Sequence, residues 1–402
     1  MIKELLASSN EISDIVVKGW IRSIRKAKDF CFIVLNDGSS QRDIQIVAAS
    51  NLDQYDFITK QNTGASLAIQ GNLVRSQGQN QAFEIQASKI EVIGSVAEDY
   101  PLQKKQTSLE FLRENAHLRA RTNTFGAVFR LRHVLAMATH EFFSNKGFYY
   151  LNSPILTGVD AEGAGEVFQV TTLPLDKIAP DKEGKIDYSK DYFGKPSYLC
   201  VTGQLEAECF ASALGSVYTF GPTFRSENSN TSRHLSEFWM IEPEVCFADL
   251  ADIADLATDY IKHLIKSALD KCPDELQFFN KHYEAGLIDK LTSVLNAPFV
   301  HLDYTDAIEI LKNAPEKFEY RVSWDDGLQS EHERYLCEKH FKSPVIVKNY
   351  PKAIKAFYMK QNEDGKTVRA MDILVPGIGE IIGGSQREED FDKLKKRMDE
   401  IG

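Results

Sequence analysis

The residues best suited to chemistry lie in one segment, 221–244. Phe224-Arg-Ser-Glu227 is followed by a loop rich in Asn, Ser, Thr and His, and then by an aromatic, apolar and acidic stretch from Phe238. This pattern predicts two strands joined by a polar loop, with Arg225 on the first strand and carboxylates along the second. A cation, a hydrogen-bonding loop and acids so close together suit a pocket that holds a nucleotide phosphate beside a small zwitterion.

A second group of such residues comes near the end of the chain. The segment 371–387 contains Asp372, Glu380 and Arg387 among glycines and β-branched residues. Asp372 and Glu380 offer hard oxygen ligands on neighbouring strand ends, which suits Mg²⁺ held mainly by phosphates and water. The sequence therefore supplies arginines for anionic oxygens and carboxylates for a divalent cation.

Other common catalytic patterns are missing from the sequence. It has no recognisable nucleophile elbow, zinc motif or Walker loop. Its six cysteines are scattered without C-x-x-C spacing, so we expect buried free thiols in a reducing cytosol. Attack of a carboxylate on the α-phosphorus of ATP needs positioning and charge neutralisation rather than a nucleophile–base pair. The residues present fit that reaction.

The secondary structure predicted from the sequence changes near residue 100. Residues 1–100 contain about five short runs rich in β-branched and aromatic residues, which predicts an OB-fold β-barrel. Residues 101–120 are predicted to be a linker. In 121–402, helices interleave with strands without regular βαβ alternation, which predicts an α+β fold with a mixed, mostly antiparallel sheet flanked by helices. The helices are expected at 124–146, 249–269 and 305–312.

Charge and hydropathy narrow the choice of partners. The net charge of −11 argues against indiscriminate nucleic-acid binding, although the run from Lys18 to Lys28 holds five basic residues and no acid. That run is either a local surface for a polyanion or a solvated strand face. No apolar run approaches the roughly 18–20 residues of a membrane span, and the N-terminus lacks the hydrophobic core of a signal peptide. We therefore expect a cytoplasmic protein with no membrane partner.

Segment 221–244 resembles motif 2 of the class II aminoacyl-tRNA synthetases, in the form found in asparagine-specific members of the aspartate, asparagine and lysine subgroup. The resemblance runs from the barrel to residue 402, with 147–154 similar to motif 1. It implies an OB-fold anticodon-binding domain followed by a class II catalytic domain. The implied activity is attachment of L-asparagine to tRNA(Asn) through an asparaginyl-adenylate, with ATP as co-substrate, Mg²⁺ as cofactor and a homodimer as the assembly.

The same resemblance implies roles for the residues that bind ATP. Arg225 would contact the ATP α-phosphate and the substrate carboxylate, and its planar fork suits such oxyanions. Glu227 would face the adenine side of ATP, and Phe238 would stack on the base. Arg233 and His234 would reach the phosphates or the tRNA acceptor end. Asp372 and Glu380, discussed above, would hold Mg²⁺.

The resemblance also implies which residues recognise the amino acid. Glu162, in a Gly-rich loop, and Gln204 would meet the α-ammonium, and Arg387 would hold the side-chain oxygen. The expected catalytic residues are therefore Arg225, Glu227 and Arg387. We hypothesise that Glu242 reads the side-chain amide, because a carboxylate accepts a hydrogen bond from NH₂ and repels the carboxylate of aspartate.

The resemblance also places an anticodon site on the barrel. Phe32 would stack on the central anticodon base, and Gln45 and Glu84 would read that base and its neighbours. Aspartate and asparagine anticodons share the central uracil, so these residues do not separate the two specificities. Alternation along 30–35 leaves open whether Phe32 is instead an inward core residue.

Motif 3 of the class II family, with its arginine for the ATP γ-phosphate, is not found before residue 402. We expect a truncated sequence that binds ATP weakly and activates the amino acid poorly or not at all, because losing a preorganised charge donor costs about 10²–10³ in rate. Alternatives to an asparagine ligase are an aspartyl-tRNA synthetase of relaxed specificity and a non-catalytic tRNA-binding paralogue. A small-molecule asparagine synthetase of the same fold is disfavoured by the presence of the barrel.

Overall fold

The computed structural model describes residues 1–78, 81–102, 107–159, 167–177, 180, 182–228 and 234–401. The chain forms two compact units: residues 1–135 with 267–288, and residues 136–266 with 289–402. Within the described ranges, no helix is both long and apolar enough to cross a membrane.

The first unit contains a closed five-stranded barrel, which confirms the predicted OB-fold architecture. Its strands, in the spatial order β1-β2-β3-β5-β4, are β1 (Ile12–Lys26), β2 (Phe30–Asn36), β3 (Ile44–Ala49), β4 (Ser66–Arg75) and β5 (Phe83–Gly94). Neighbouring strands are antiparallel except β3 and β5. Along β2, Cys31, Ile33 and Leu35 are buried while Phe32 is half-buried, as the two-residue period of a strand requires.

Helices make up much of the rest of the chain. Within the barrel sequence lie two short helices, α1 (Ile2–Leu6) and α2 (Tyr55–Ile58). The later helices are α3 (Leu109–Glu114), α4 (Asn123–Asn145), α5 (Gln204–Leu214), α6 (Leu250–Lys271), α7 (Pro273–His282), α8 (Leu287–Asn296), α9 (Tyr304–Lys312), α10 (Ser330–Arg334) and α11 (Phe391–Ile401). The three predicted helices correspond to α4, α6 and α9, with boundaries within two residues.

Charged side chains join the helical parts of the first unit to its barrel. Arg130 on α4 donates from Nε to Glu275 Oε1 on α7 at 2.7 Å and from Nη1 to the carbonyl of Gly38 at 3.3 Å. Arg42, in the loop between β2 and β3, donates from Nε to Asp274 Oδ2 at 2.9 Å. The beginning of α4 and the whole of α7 therefore belong with the barrel as one unit.

The second unit contains three sheets with parallel and antiparallel pairs, which confirms the mixed character predicted. One has the order β11-β10-β6 and another β12-β13-β14-β15, and a small third sheet has the order β7-β9-β8. The strands are β6 (Tyr149–Leu151), β7 (Leu156–Thr157), β8 (Gln169–Val170), β9 (Ser197–Leu199), β10 (Ser216–Phe224), β11 (Glu237–Val245), β12 (Val300–Asp303), β13 (Val345–Pro351), β14 (Thr367–Val375) and β15 (Gly379–Ser385). β10 and β11 pair over their whole length, so residues of β11 have fixed neighbours on β10.

All six cysteines are free, as expected, but they are not all buried. Cys31, Cys200, Cys272 and Cys337 are buried, whereas Cys246 is half-buried and Cys209 is exposed. Cys209 lies on α5, a helix with buried residues at Ala207 and Ala211, so positions between them turn towards solvent.

Candidate active site

Arg387 lies at the centre of a charged cluster built from three distant parts of the chain. Its Nε donates to Glu208 Oε1 on α5 at 2.7 Å, and its Nη2 donates to Glu244 Oε1 on β11 at 2.5 Å. Nη1 donates to the hydroxyl of Ser385, the last residue of β15, at 2.6 Å. The guanidinium carbon is 5.0 Å from the centre of the Tyr358 ring. Arg387 was predicted as a site residue, but roles for Glu208 and Glu244 were not.

The buried carboxylate of Glu244 is strongly affected by this environment. Burial raises its pKa to about 7, although the Arg387 cation acts in the opposite direction. Burial of the guanidinium lowers the pKa of Arg387, but the carboxylates of Glu244 and Glu208 outweigh that effect and raise it overall. The arginine therefore stays charged, while Glu244 exchanges its proton near neutral pH.

Glu242 is held by a separate set of hydrogen bonds. Its Oε1 accepts from the hydroxyl of Thr202, and its Oε2 accepts from the backbone N–H of Gly203 at 3.0 Å and from the hydroxyl of Thr219 at 2.9 Å. Thr219 pairs directly with Glu242 across β10 and β11. The carboxylate thus has a fixed orientation, which a role in substrate recognition requires.

Gln204 connects these two groups. Its backbone N–H donates to the hydroxyl of Thr202 at 3.0 Å, and its side-chain Nε2 donates to Glu208 Oε1 at 2.9 Å. Gln204 is the first residue of α5 and Glu208 is four residues later, so both lie on one face of the helix. The structure therefore brings together three predicted residues, Gln204, Glu242 and Arg387.

Arg225 directly follows the end of β10 and lies beside Val201, in the loop that precedes α5. Its Nη2 donates to the backbone carbonyl of Val201 at 3.3 Å, and its guanidinium carbon is 5.6 Å from the ring centre of Phe238. A guanidinium over the face of an aromatic ring is attracted by the electron-rich face of the ring. Arg225 and Phe238 are thus adjacent, as their predicted roles require.

Glu227 and His234, which are also predicted to bind ATP, lie close to each other. Glu227 is exposed, and its Oε2 is 3.9 Å from His234 Nε2. Glu162 and Arg233 lie outside the described residues, so their predicted roles are untested.

Asp372 on β14 and Glu380 on β15 face a common space beside Gly383. A Cβ added to Gly383 would lie 3.1 Å from Glu380 Oε1 and 3.4 Å from Asp372 Oδ1, so the glycine keeps the space between the two carboxylates open. Partial burial and the negative charge of Asp372 raise the pKa of Glu380. Lys355 Nζ donates to Asp372 Oδ2 at 2.9 Å, a contact that was not predicted from the sequence.

No group of three or more metal-ligating side chains occurs among the described residues. The two carboxylates of Asp372 and Glu380 nevertheless fit Mg²⁺ that takes its other ligands from phosphates and water.

Of the three residues predicted for the barrel, Gln45 and Glu84 are in direct contact with each other, and Glu84 is buried. Gln45 Nε2 donates to Glu84 Oε2 at 3.0 Å, and the hydroxyl of Ser76 donates to the same oxygen at 2.8 Å. Phe32 is half-buried on the strand face opposite the core, and the guanidinium carbon of Arg25 is 4.8 Å from its ring centre. Arg25 pairs with Phe32 across β1 and β2, which only the strand register reveals. The alternative of an inward core position for Phe32 is therefore wrong.

Comparison with known proteins finds relatives along the whole chain. The family of class II tRNA synthetases (D, K and N) matches residues 108–402, and the OB-fold nucleic acid binding domain matches residues 15–93. The asparagine-tRNA ligase of Cytophaga hutchinsonii is 59% identical over 100% of this chain and 87% of its own length. That of Desulfitobacterium hafniense is 55% identical over 97% of this chain and 84% of its own. The crystal structure of asparaginyl-tRNA synthetase from Pyrococcus horikoshii complexed with asparaginyl-adenylate aligns with a TM-score of 0.83 and 31% identity, covering 97% of this chain and 83% of that chain.

Proposed function

Because the chain belongs to the asparagine-tRNA ligases, a branch of the class II tRNA synthetases, we propose that it uses ATP to attach L-asparagine to tRNA(Asn) in the cytoplasm. The observation that carries the proposal is the connected cluster of Gln204, Glu208, Arg387 and Glu244. An aspartate-accepting ligase and a non-catalytic paralogue are not favoured, because relatives matching the whole chain at 59% and 52% identity are asparagine-tRNA ligases.

The first step forms an adenylate. A carboxylate oxygen of asparagine attacks the α-phosphorus of ATP, the bond to the bridging oxygen breaks, and pyrophosphate leaves. Arg225 binds the α-phosphate and the substrate carboxylate, Phe238 stacks on adenine, and Glu227 faces the adenine. Arg233 and His234 bind the outer phosphates or the tRNA acceptor end. These residues hold the reacting atoms in line and balance the charge that develops.

This step is one that a bound Mg²⁺ would assist. Asp372 and Glu380, separated by the open space at Gly383, are the residues that would hold the ion. When bound, Mg²⁺ neutralises negative charge on the phosphates. Lys355 donates a hydrogen bond to Asp372 in the same region, which orients that carboxylate.

The amino acid is recognised at both of its ends. Gln204 and Glu162 bind the α-ammonium, Arg387 donates to the side-chain oxygen, and Glu242 accepts from the side-chain NH₂. The three donors that hold Glu242 support its role, because they fix the carboxylate before the substrate arrives. In the second step a ribose hydroxyl at the end of tRNA attacks the adenylate carbonyl carbon, AMP leaves, and the hydroxyl proton is released.

We assign residues 1–100 to anticodon binding, 101–120 to a linker and 121–402 to catalysis. Phe32 stacks on the central anticodon base, while Gln45 and Glu84 hydrogen-bond to the bases. We also propose a homodimer, because Tyr149, Tyr150, Ile155 and Leu156 expose apolar surface on and after β6, an edge strand of its sheet. Contact between copies of the chain would cover this surface.

The test is ATP–pyrophosphate exchange with each standard amino acid, followed by acylation of tRNA(Asn) transcripts. We expect exchange with asparagine alone and charging that requires the tRNA. Exchange with aspartate at a comparable rate would support the relaxed aspartyl enzyme instead. Binding of tRNA with no exchange for any amino acid would support a non-catalytic role.

A further inference from the structure

Building on the proposed function, we propose that Glu208 makes the site reject aspartate. Its carboxylate neutralises Arg387, so that the guanidinium remains a hydrogen-bond donor to a carboxamide oxygen without attracting a side-chain carboxylate. Glu208 acts through Arg387 and is therefore a positioning residue for specificity. This role adds to the one proposed for Glu242, which accepts from the amide nitrogen and itself repels a side-chain carboxylate.

The hydrogen bonds of Arg387 support the proposal. A guanidinium has five N–H donors. Arg387 uses them in four contacts: one to Glu208, one to Glu244, and two to the hydroxyl and carbonyl of Ser385. Counted over the described residues, one N–H is left for the substrate. One donor suits the single oxygen of a carboxamide, whereas a carboxylate binds arginine best through two parallel N–H groups.

The charges lead to the same conclusion. The cluster contains one cation, Arg387, in contact with the carboxylates of Glu208 and Glu244. Glu244 binds a proton near neutral pH, so an aspartate side chain would bring its negative charge mainly against the carboxylate of Glu208. Like charges about 6 Å apart, at the effective dielectric of a protein site, repel enough to change an equilibrium constant by about 100-fold. The side chain of Glu208 is 32% exposed, so solvent screening reduces the expected effect to roughly 10- to 100-fold.

The fold explains why Glu208 holds this position. Helix α5 begins at Gln204, and the side-chain amide of Gln204 donates to the same Glu208 oxygen that accepts from Arg387. The residue that binds the α-ammonium in the proposed function thus also orients the carboxylate that neutralises Arg387. One helical turn thereby couples recognition of the two ends of the amino acid.

The test compares dissociation constants for L-asparagine and L-aspartate, measured by titration calorimetry on the full chain. Glu208→Gln keeps the size and an acceptor oxygen but removes the charge. We expect the aspartate-to-asparagine ratio of dissociation constants to fall by at least 10-fold. Glu206→Gln, the same change on the same helix, is the matched control and should alter the ratio by less than 2-fold. An unchanged ratio in Glu208→Gln would overturn the inference while leaving asparagine binding, and the proposed function, intact.

A second measurement needs no variant. The methyl ketone 2-amino-4-oxopentanoate has the shape of asparagine and keeps its carbonyl oxygen, but it is neutral in the side chain and carries no NH₂. If charge, from Glu208 or from Glu242, drives the rejection of aspartate, the wild-type protein should bind this analogue at least 10-fold more tightly than aspartate, and the Glu208→Gln ratio then shows how much of that effect Glu208 supplies. Equally weak binding of the two would contradict the inference and leave the amide contact of Glu242 as the source of selectivity. Failure of the wild-type protein to prefer asparagine over aspartate would refute the proposed function and this inference together.

Discussion

The cluster around Arg387 and the cluster around Phe32 on the barrel are built in different ways. At Arg387, carboxylates from α5 and β11 converge on a cation that follows β15, up to 179 residues apart in sequence. At Phe32, the parts are close neighbours on strands of one sheet, with Arg25 and Phe32 in direct register. The first cluster depends on partly buried charge and the second on stacking and hydrogen bonds. Because buried charges are costly to leave unpaired, we expect substitutions in the Arg387 cluster to reduce activity or stability more than substitutions on the barrel do.

The largest effect is expected for Arg387→Ala. This change removes the donor to the substrate side chain and leaves Glu244 and Glu208 close together without their cation. We expect kcat/KM for asparagine-dependent pyrophosphate exchange to fall by about 10²–10³. The control is Arg334→Ala, which breaks an exposed pair with Glu338 at 3.5 Å and should have almost no effect. A loss of less than 10-fold for Arg387→Ala would show that the cluster is not part of the site.

The next prediction concerns how the free energy of unfolding changes with pH because of Glu244. Its pKa is raised from 4.5 to about 7 in the folded protein, so the folded state binds a proton more tightly than the unfolded state does. This group's stabilising contribution is complete below pH 4.5 and is lost as pH rises through 7. The whole contribution is about 3.5 kcal/mol, from a shift of 7 minus 4.5, or 2.5 units, at about 1.4 kcal/mol each, and about 2–3 kcal/mol of it is lost between pH 5 and pH 8.

Urea denaturation at several pH values measures this effect. Glu244→Gln cannot titrate, so its free energy of unfolding should fall less between pH 5 and pH 8 than that of the wild-type protein. Glu208, Glu242 and Arg387 face or adjoin Glu244, and all three are retained in both proteins. Parallel pH profiles for the two would mean that Glu244 does not titrate in this range.

The boundaries of helices and strands could be predicted from the sequence more fully than the contacts of the charged cluster could. Helix α4 and strand β11 were predicted within one residue of their ends, because their apolar periodicity is continuous. Strands β1 and β5, with 15 and 12 residues, extend well beyond the short runs expected in residues 1–100, since bulges in both interrupt the two-residue alternation. Glu208 was missed because the contact that gives it meaning joins helix α5 to a residue far along the chain. A charged residue on a helix looks like any solvated position until that contact is known.

A smaller effect is expected on the barrel. Phe32→Leu keeps an apolar side chain but removes the ring that we propose to stack on an anticodon base. Stacking on one base contributes about 1–3 kcal/mol, so KM for tRNA should rise by about 10-fold or more. Pyrophosphate exchange without tRNA should stay at the wild-type rate. Phe57→Leu, at an exposed aromatic residue on α2, is the control, and an equal effect there would argue against a specific role for Phe32.

The smallest effect is expected for Ser76→Ala. The hydroxyl of Ser76 is one of three donors to Glu84 Oε2, and the side-chain amides of Gln45 and Gln81 supply the other two. Removing one of three neutral donors leaves the carboxylate oriented, so we expect KM for tRNA to rise by no more than about 5-fold, which corresponds to roughly 1 kcal/mol. Acylation kinetics with tRNA(Asn) transcripts measure this change. An effect of 100-fold would mean that the barrel also depends on a single critical contact, and the contrast with the Arg387 cluster would then be lost.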